Sequence, residues 1–213
     1  MKNNFNIKAT SIVEAMIVLL IIVTWVIWMY KILNESNKLV ITVRNKIQAT
    51  QIARQWIEAF TNIRDTNWIL FSSDYENCWN VLNYNPLCIW SNNTSHDIES
   101  ANYKIILDED NRWTLEKTIL SPSLNYSDLE YRNFYKIWLD LNWIYTHSGI
   151  ITEIKPLYTR ELSISYLQED LTPWNTQSPK IKIISKVQWS DNTSTAAHKI
   201  EIEQILSNWK SKK

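Results

Sequence analysis

The sequence predicts an α+β protein: one long N-terminal helix, membrane-spanning in its first half, packed against an antiparallel β-sheet head. Two observations carry this prediction. No proline or glycine interrupts residues 11–64, and apolar residues recur through that stretch at helical spacing. After residue 102 the texture changes to short alternating apolar and polar runs separated by turn residues, the pattern of half-buried antiparallel strands.

The first element begins in an apolar run. Ser11 to Tyr30 is twenty residues, about 30 Å as a helix, enough to cross a bilayer core. The only charge within it is Glu14, and the next is Lys31, which reads as an interfacial stop. A carboxylate in a membrane helix costs roughly 2.5–3.5 kcal/mol at the helix centre and persists where something pairs it. Lys2 and Lys8 precede the run, so the positive-inside rule puts Met1 in the cytoplasm and everything beyond Lys31 outside. A secretory signal peptide fits less well, because the apolar run is too long and no small-x-small site follows it. An uncleaved signal anchor suits the topology equally, but gives no reason for Glu14.

The helix is expected to continue from residue 31 to Arg64. Leu33, Val40, Val43, Ile47, Ile52, Trp56, Ile57, Phe60 and Ile63 form an apolar stripe too irregular for sustained coiled-coil heptads. Residues 11–64 in one helix would measure about 80 Å. Zero net charge over the whole chain hides a split: residues 31–64 carry six basic against two acidic groups, and residues 65–213 carry 14 basic against 19 acidic. A basic stem and an acidic head could attract one another between copies, or the stem could meet anionic lipid; a solvated helix face explains the stem equally well.

Residues 65–102, rich in Asn, Ser and aromatics, read as an irregular connecting loop. They contain both cysteines, Cys78 and Cys88. An even pair on the exported side reads as a disulfide, worth about 3 kcal/mol at most on the loop-entropy account; two free thiols in a small core are the alternative. The head, 103–213, is expected to hold strands at Tyr103–Leu107, Trp113–Thr118, Phe134–Leu139, Tyr158–Leu167, Lys180–Trp189 and His198–Leu206. Turns are expected at Asp108–Asn111 and Asp191–Ser194.

One glycine stands against twelve tryptophans, far below the usual glycine share of about 7%. That is the composition expected if UGA codons written as tryptophan are read as glycine, as in some small-genome bacteria. Trp143 follows Asn142 and Trp174 follows Pro173, where Asn-Gly and Pro-Gly turns would fit. Trp25, Trp28, Trp56 and Trp90 are further positions of this kind, whereas Trp68, Trp79, Trp189 and Trp209 lie where an aromatic makes sense.

Catalysis finds no positive support. His96, His147 and His198 are scattered and carry no flanking nucleophile signature. Cys78, Cys88 and His96 fall short of a four-ligand zinc pattern, so no metal and no cofactor is expected. Asp108, Glu109 and Asp110 read as a solvated hairpin turn before a calcium cage. The acidic head argues against a strong nucleic-acid site.

The start of the chain also resembles a known family. Lys8-Ala9-Thr10-Ser11-Ile12-Val13-Glu14, running into AMIVLLIIVTWVIWMY, resembles the prepilin signal of type IV pilins and type II secretion pseudopilins. It departs in having Ala9 where glycine is usual and Thr10 where an aromatic or Met is commoner. The head adds looser matches in Ala53–Ala59, Asn62–Trp68, Thr159–Leu162 and Val187–Asp191 through Asn208-Trp209-Lys210. The resemblance implies a pilin-like fold and no enzymatic activity. It also implies removal of leader 1–9 by a membrane prepilin peptidase between Ala9 and Thr10, and N-methylation of Thr10. Glu14, then at the fifth mature position, would pair with the terminal amine of a neighbouring subunit. The implied partners are other pilin subunits, the prepilin peptidase, an assembly ATPase with its platform protein, and the membrane; DNA would join them only in an uptake pilin. Localisation would be single-pass in the cytoplasmic membrane with an extracytoplasmic head, then in a surface filament. An uncleaved, signal-anchored extracellular binding domain is the competing expectation.

Overall fold

A computed structural model describes residues 12–90, 96–108, 110–139, 145–147, 152–153, 158–167, 180–190 and 197–208. The leader with Ala9 and Thr10, the turn residues Trp143, Trp174 and 191–194, Glu109 and Trp209 lie outside them. The chain divides into two compact units, residues 1–44 and 45–213, and helix α1 (Ile12–Leu70) contributes to both.

In the first unit α1 is apolar all round from Ile12 to Tyr30 apart from Glu14, and Lys31, Glu35 and Lys38 follow. Every side chain from Ile12 to Ile41 is exposed, and an 18-residue window has a mean hydropathy of 2.6 with none of it buried. By length and composition this stretch can cross a membrane as a single-pass anchor.

In the second unit α1 has one buried face. Asn45, Ala49, Ile52, Ala53, Trp56, Ile57, Ala59, Phe60, Ile63, Asn67 and Trp68 are buried, at the three- and four-residue spacings of a helical stripe. Small Ala49, Ala53 and Ala59 alternate with large side chains, which lets the sheet come close. The helix runs six residues past Arg64 because nothing in 65–70 breaks it; Phe71 N–H still donates to Asn67 O at 2.9 Å before the chain turns.

The stripe packs on a five-stranded antiparallel sheet in the order β2-β1-β6-β7-β8. The strands are β1 (Asn102–Leu107), β2 (Trp113–Lys117), β6 (Thr159–Leu167), β7 (Lys180–Trp189) and β8 (His198–Ser207). Central β7 alternates strictly: Ile181, Ile183, Ser185, Val187 and Trp189 are buried, and the residues between them are half-buried. Together with Tyr103, Ile105, Leu115, Leu162 and Ile164 these meet the helix stripe. Each such large apolar side chain contributes about 1.5–3 kcal/mol on full burial. The α+β layout expected from the sequence is the observed one.

Two segments differ from the expectation. Residues 134 and 135 are not strand: helix α3 (Leu129–Tyr135) occupies them, and only Trp138–Leu139 (β3) is extended. β3 belongs to a separate three-stranded sheet with β4 (Tyr145–Thr146) and β5 (Thr152–Glu153). The reason is Tyr131 and Tyr135, one helical turn apart, whose rings pack together at 4.8 Å and are both buried. Residues 65–102 are also more ordered than an irregular loop. They hold the end of α1, helix α2 (Tyr75–Cys78) and two 3₁₀ turns, Leu82–Tyr84 and Pro86–Cys88.

Candidate functional site

Glu14 lies in the first described turn of α1. No other Asp, Glu, Lys or Arg occurs between Ile12 and Tyr30, and the side chains around it are exposed. Ala9 and Thr10, read as flanking a scissile bond, lie outside the described residues. Thr24, Trp25, Trp28, Met29, Ile32 and Leu33 line a shallow apolar depression of about 500 Å³ further along the same helix.

The head contains a second concentration of chemistry, which sequence reasoning reached only through the run Thr159-Arg160-Glu161-Leu162. All four residues are buried, and alternation sends the two charges to opposite faces of β6. On the helix side, Arg160 is fully buried and its guanidinium lies 3.8 Å from the centre of the Trp56 ring. One guanidinium nitrogen donates to Ile52 O at 3.2 Å and Gln55 Oε1 at 3.1 Å, and the other to Tyr145 O at 3.0 Å. Arg160 thus ties β6, β4 and α1 together through neutral acceptors. Burial holds its pKa well below the ordinary arginine value.

His147 packs against the other end of this cluster, 4.8 Å from Trp56. Its Nδ1–H donates to Lys136 O at 2.8 Å, so the lone pair sits on Nε2. Burial, reinforced by the nearby guanidinium, holds the imidazole pKa well below 6.5. Nε of Arg160 and Nε1 of Trp56 find no hydrogen-bond partner among the described residues.

On the opposite face, Glu161 accepts hydrogen bonds from the Tyr131 hydroxyl at 2.6 Å, Asn102 Nδ2 at 2.6 Å and Lys186 Nζ at 2.5 Å. Burial raises the Tyr131 and Tyr135 phenol pKa values, and the Glu161 carboxylate adds to this. These groups fasten α3 to the sheet and engage both oxygens of the buried carboxylate.

The other expected residues fall in separate places. Cys78 and Cys88 are disulfide-bonded, with sulfurs 2.07 Å apart and both residues buried, so neither thiolate can serve a metal. The bridge backs a loop whose Leu82, Asn83, Tyr84, Asn85, Pro86 and His96 line a cleft of about 400 Å³. Most polar groups of that lining are spent internally. The Asn83 amide pairs both ways with the Leu115 backbone, the Tyr84 hydroxyl donates to Trp113 O, and Asn85 meets His96 Nδ1 at 3.2 Å. Burial, with Asp108 nearby, pushes the Tyr84 phenol up to about 12. His198 stacks on Trp189 with ring centres 5.3 Å apart. Asp108 accepts the backbone N–H groups of Asp110 and Arg112, and both of its oxygens are committed to this hairpin through Arg112. No group of three or more His, Cys, Asp or Glu is placed to hold a metal among the described residues.

The resemblance segments of the head converge on the helix–sheet interface. Gln55 and Trp56 receive Arg160, and Asn67 Nδ2 donates to Val81 O at 3.0 Å. Trp68 Nε1 donates to Asn208 Oδ1 at 3.2 Å while Arg64 stacks on the Trp68 ring at 4.5 Å. No protein-family model matches the chain, and no curated protein or solved structure is significantly similar to it.

Proposed function

We propose that this chain is a structural subunit of a type IV pilus-like filament, a pilin or pseudopilin, cleaved between Ala9 and Thr10 and assembled through its N-terminal helix. The observation that carries the reading is Glu14: one carboxylate in the otherwise uncharged, exposed apolar stretch Ile12–Tyr30 of α1. Such a helix is at home in lipid before assembly and in a water-free bundle of like helices afterwards. In both places an unpaired carboxylate is costly, and the amine of a processed N-terminus on the adjacent subunit would neutralise it. Pairing of this kind fixes axial register, because only one stagger brings amine and carboxylate together.

The head supports a structural role. Its buried charges are engaged in holding helix to sheet and α3 to sheet, and the disulfide suits an oxidising, extracytoplasmic location. The partners in this reading are other pilin subunits, a prepilin peptidase, and an assembly ATPase with its platform protein in the membrane. An uncleaved, signal-anchored binding domain is the second reading, and α1 would serve it equally as a tether.

The test is Glu14→Ala in the cells that make the filament. The variant is expected to insert and be cleaved normally but to be absent from sheared filaments. Incorporation at the native level would remove the pairing role.

A further inference from the structure

We propose that position 90 is occupied by glycine in the protein its own cells make, the codon rendered as tryptophan there being read as glycine. Four described residues outside glycine have positive φ: Asn83, Tyr84, Trp90 and Asn111. Asparagine tolerates this region, and the Asn83 side chain is repaid by its two-way bond to the edge of β2. Tyr84 is repaid as well, since its hydroxyl is bonded to Trp113 O and its ring lies 5.4 Å from the Arg112 guanidinium.

Trp90 receives no such return. Its φ is 56°, its side chain is 80% exposed, and its indole makes no hydrogen bond or ring contact among the described residues. Position 90 is used through its backbone: the N–H donates to Asp74 Oδ2 at 2.6 Å and closes the disulfide loop. Ile89 before it is extended, at φ −66° and ψ 125°, and these angles followed by a positive φ are those of the two central residues of a type II turn, whose second position glycine fills best. Other tryptophans of the head behave differently. Trp56, Trp68, Trp79 and Trp189 are buried, and Trp113 and Trp138 are half-buried. With a single glycine in 213 residues and twelve tryptophans, the chain has the composition that such decoding would leave. The inference is independent of the filament reading.

The experiment is peptide mass spectrometry of the protein isolated from its source cells, on the reduced peptide that contains Cys88 and position 90. A peptide mass with glycine at 90 is expected; a mass with tryptophan overturns the inference. A second measurement uses the full-length recombinant chain in detergent. Trp90→Gly is expected to raise the thermal unfolding midpoint and Trp90→Ala to fall short of it, because alanine keeps the Cβ that opposes positive φ. Equal midpoints for the two variants would equally count against a glycine requirement.

Discussion

Arg160 carries a charge into the helix–sheet interface with carbonyl and amide oxygens as its acceptors. Truncating it would strip partners from Gln55 and Tyr145 and open a cavity beside Trp56. Arg160→Ala is therefore expected to cost about 3 kcal/mol or more of head stability, read by denaturant unfolding of the full chain. Arg160→Lys should recover only part of the loss, because a single ammonium cannot reach acceptors on α1 and on β4 together. His147 adds a pH dependence whose sign is fixed by its depressed pKa. An unfolded chain takes up a proton near pH 6.5 while the folded chain stays neutral, so stability is full above that value and falls below it until the folded pKa is reached. The slope from this one group is at most about 1.4 kcal/mol per pH unit. Unfolding midpoints should drop between about pH 6.5 and pH 5, and His147→Gln should flatten that drop. Burial raises the Asp97 carboxyl pKa, which works in the opposite sense at more acid pH. A curve for His147→Gln that still parallels the parent would show the imidazole is not its source.

The disulfide loop, α3 and the strands differ in how they are held, and so in how they should fail. Opening Cys78–Cys88 with a paired Cys→Ser variant is expected to lower stability by about 3 kcal/mol at most. The effect should concentrate in residues 74–90, read as faster amide exchange there while β6 and β7 remain protected. Uniform loss of protection would mean the loop is integral to the core. The same contrast explains what could be read from the sequence. β7 was legible to the residue because alternation over Lys180–Trp189 is a direct consequence of one buried face. The apolar span and the lower part of the α1 stripe, Ile52 to Ile63, were legible for the same reason. Leu33, Val40, Val43 and Ile47 of the expected stripe are exposed, because the buried face of the helix begins only at Asn45 and Ile47 lies off it. The end was placed at Arg64 because polar 65–67 hides the buried Asn67 and Trp68. Helix α3 was not legible: a short run of aromatics satisfies strand propensity as well as helix, and only contact with Glu161 and the sheet decides between them. Arg160 was missed as a structural centre for a related reason. A charged residue in an alternating strand reads as solvent-facing until the helix that covers it is in place.

At the scale of the whole molecule, residues 12–30 are, Glu14 aside, an exposed and almost wholly apolar surface, and the unit from residue 45 has its own core. Such a stretch is long and apolar enough to cross a membrane. Lipid satisfies the apolar surface, and so does a bundle of like helices; in the proposed filament reading Glu14 distinguishes a subunit of the bundle from a simple tether. The full chain should accordingly partition with membranes, and detergent removal should drive association. Substituting Glu14 by alanine should leave membrane partitioning unchanged while abolishing filament entry. The most direct measurement is mass spectrometry of the N-terminal peptide from native membranes or sheared filaments. A peptide beginning at N-methylated Thr10 is the predicted result. A peptide beginning at Met1, with no Thr10 form, would contradict processing, leave Glu14 unpaired and make the protein a tethered extracellular domain.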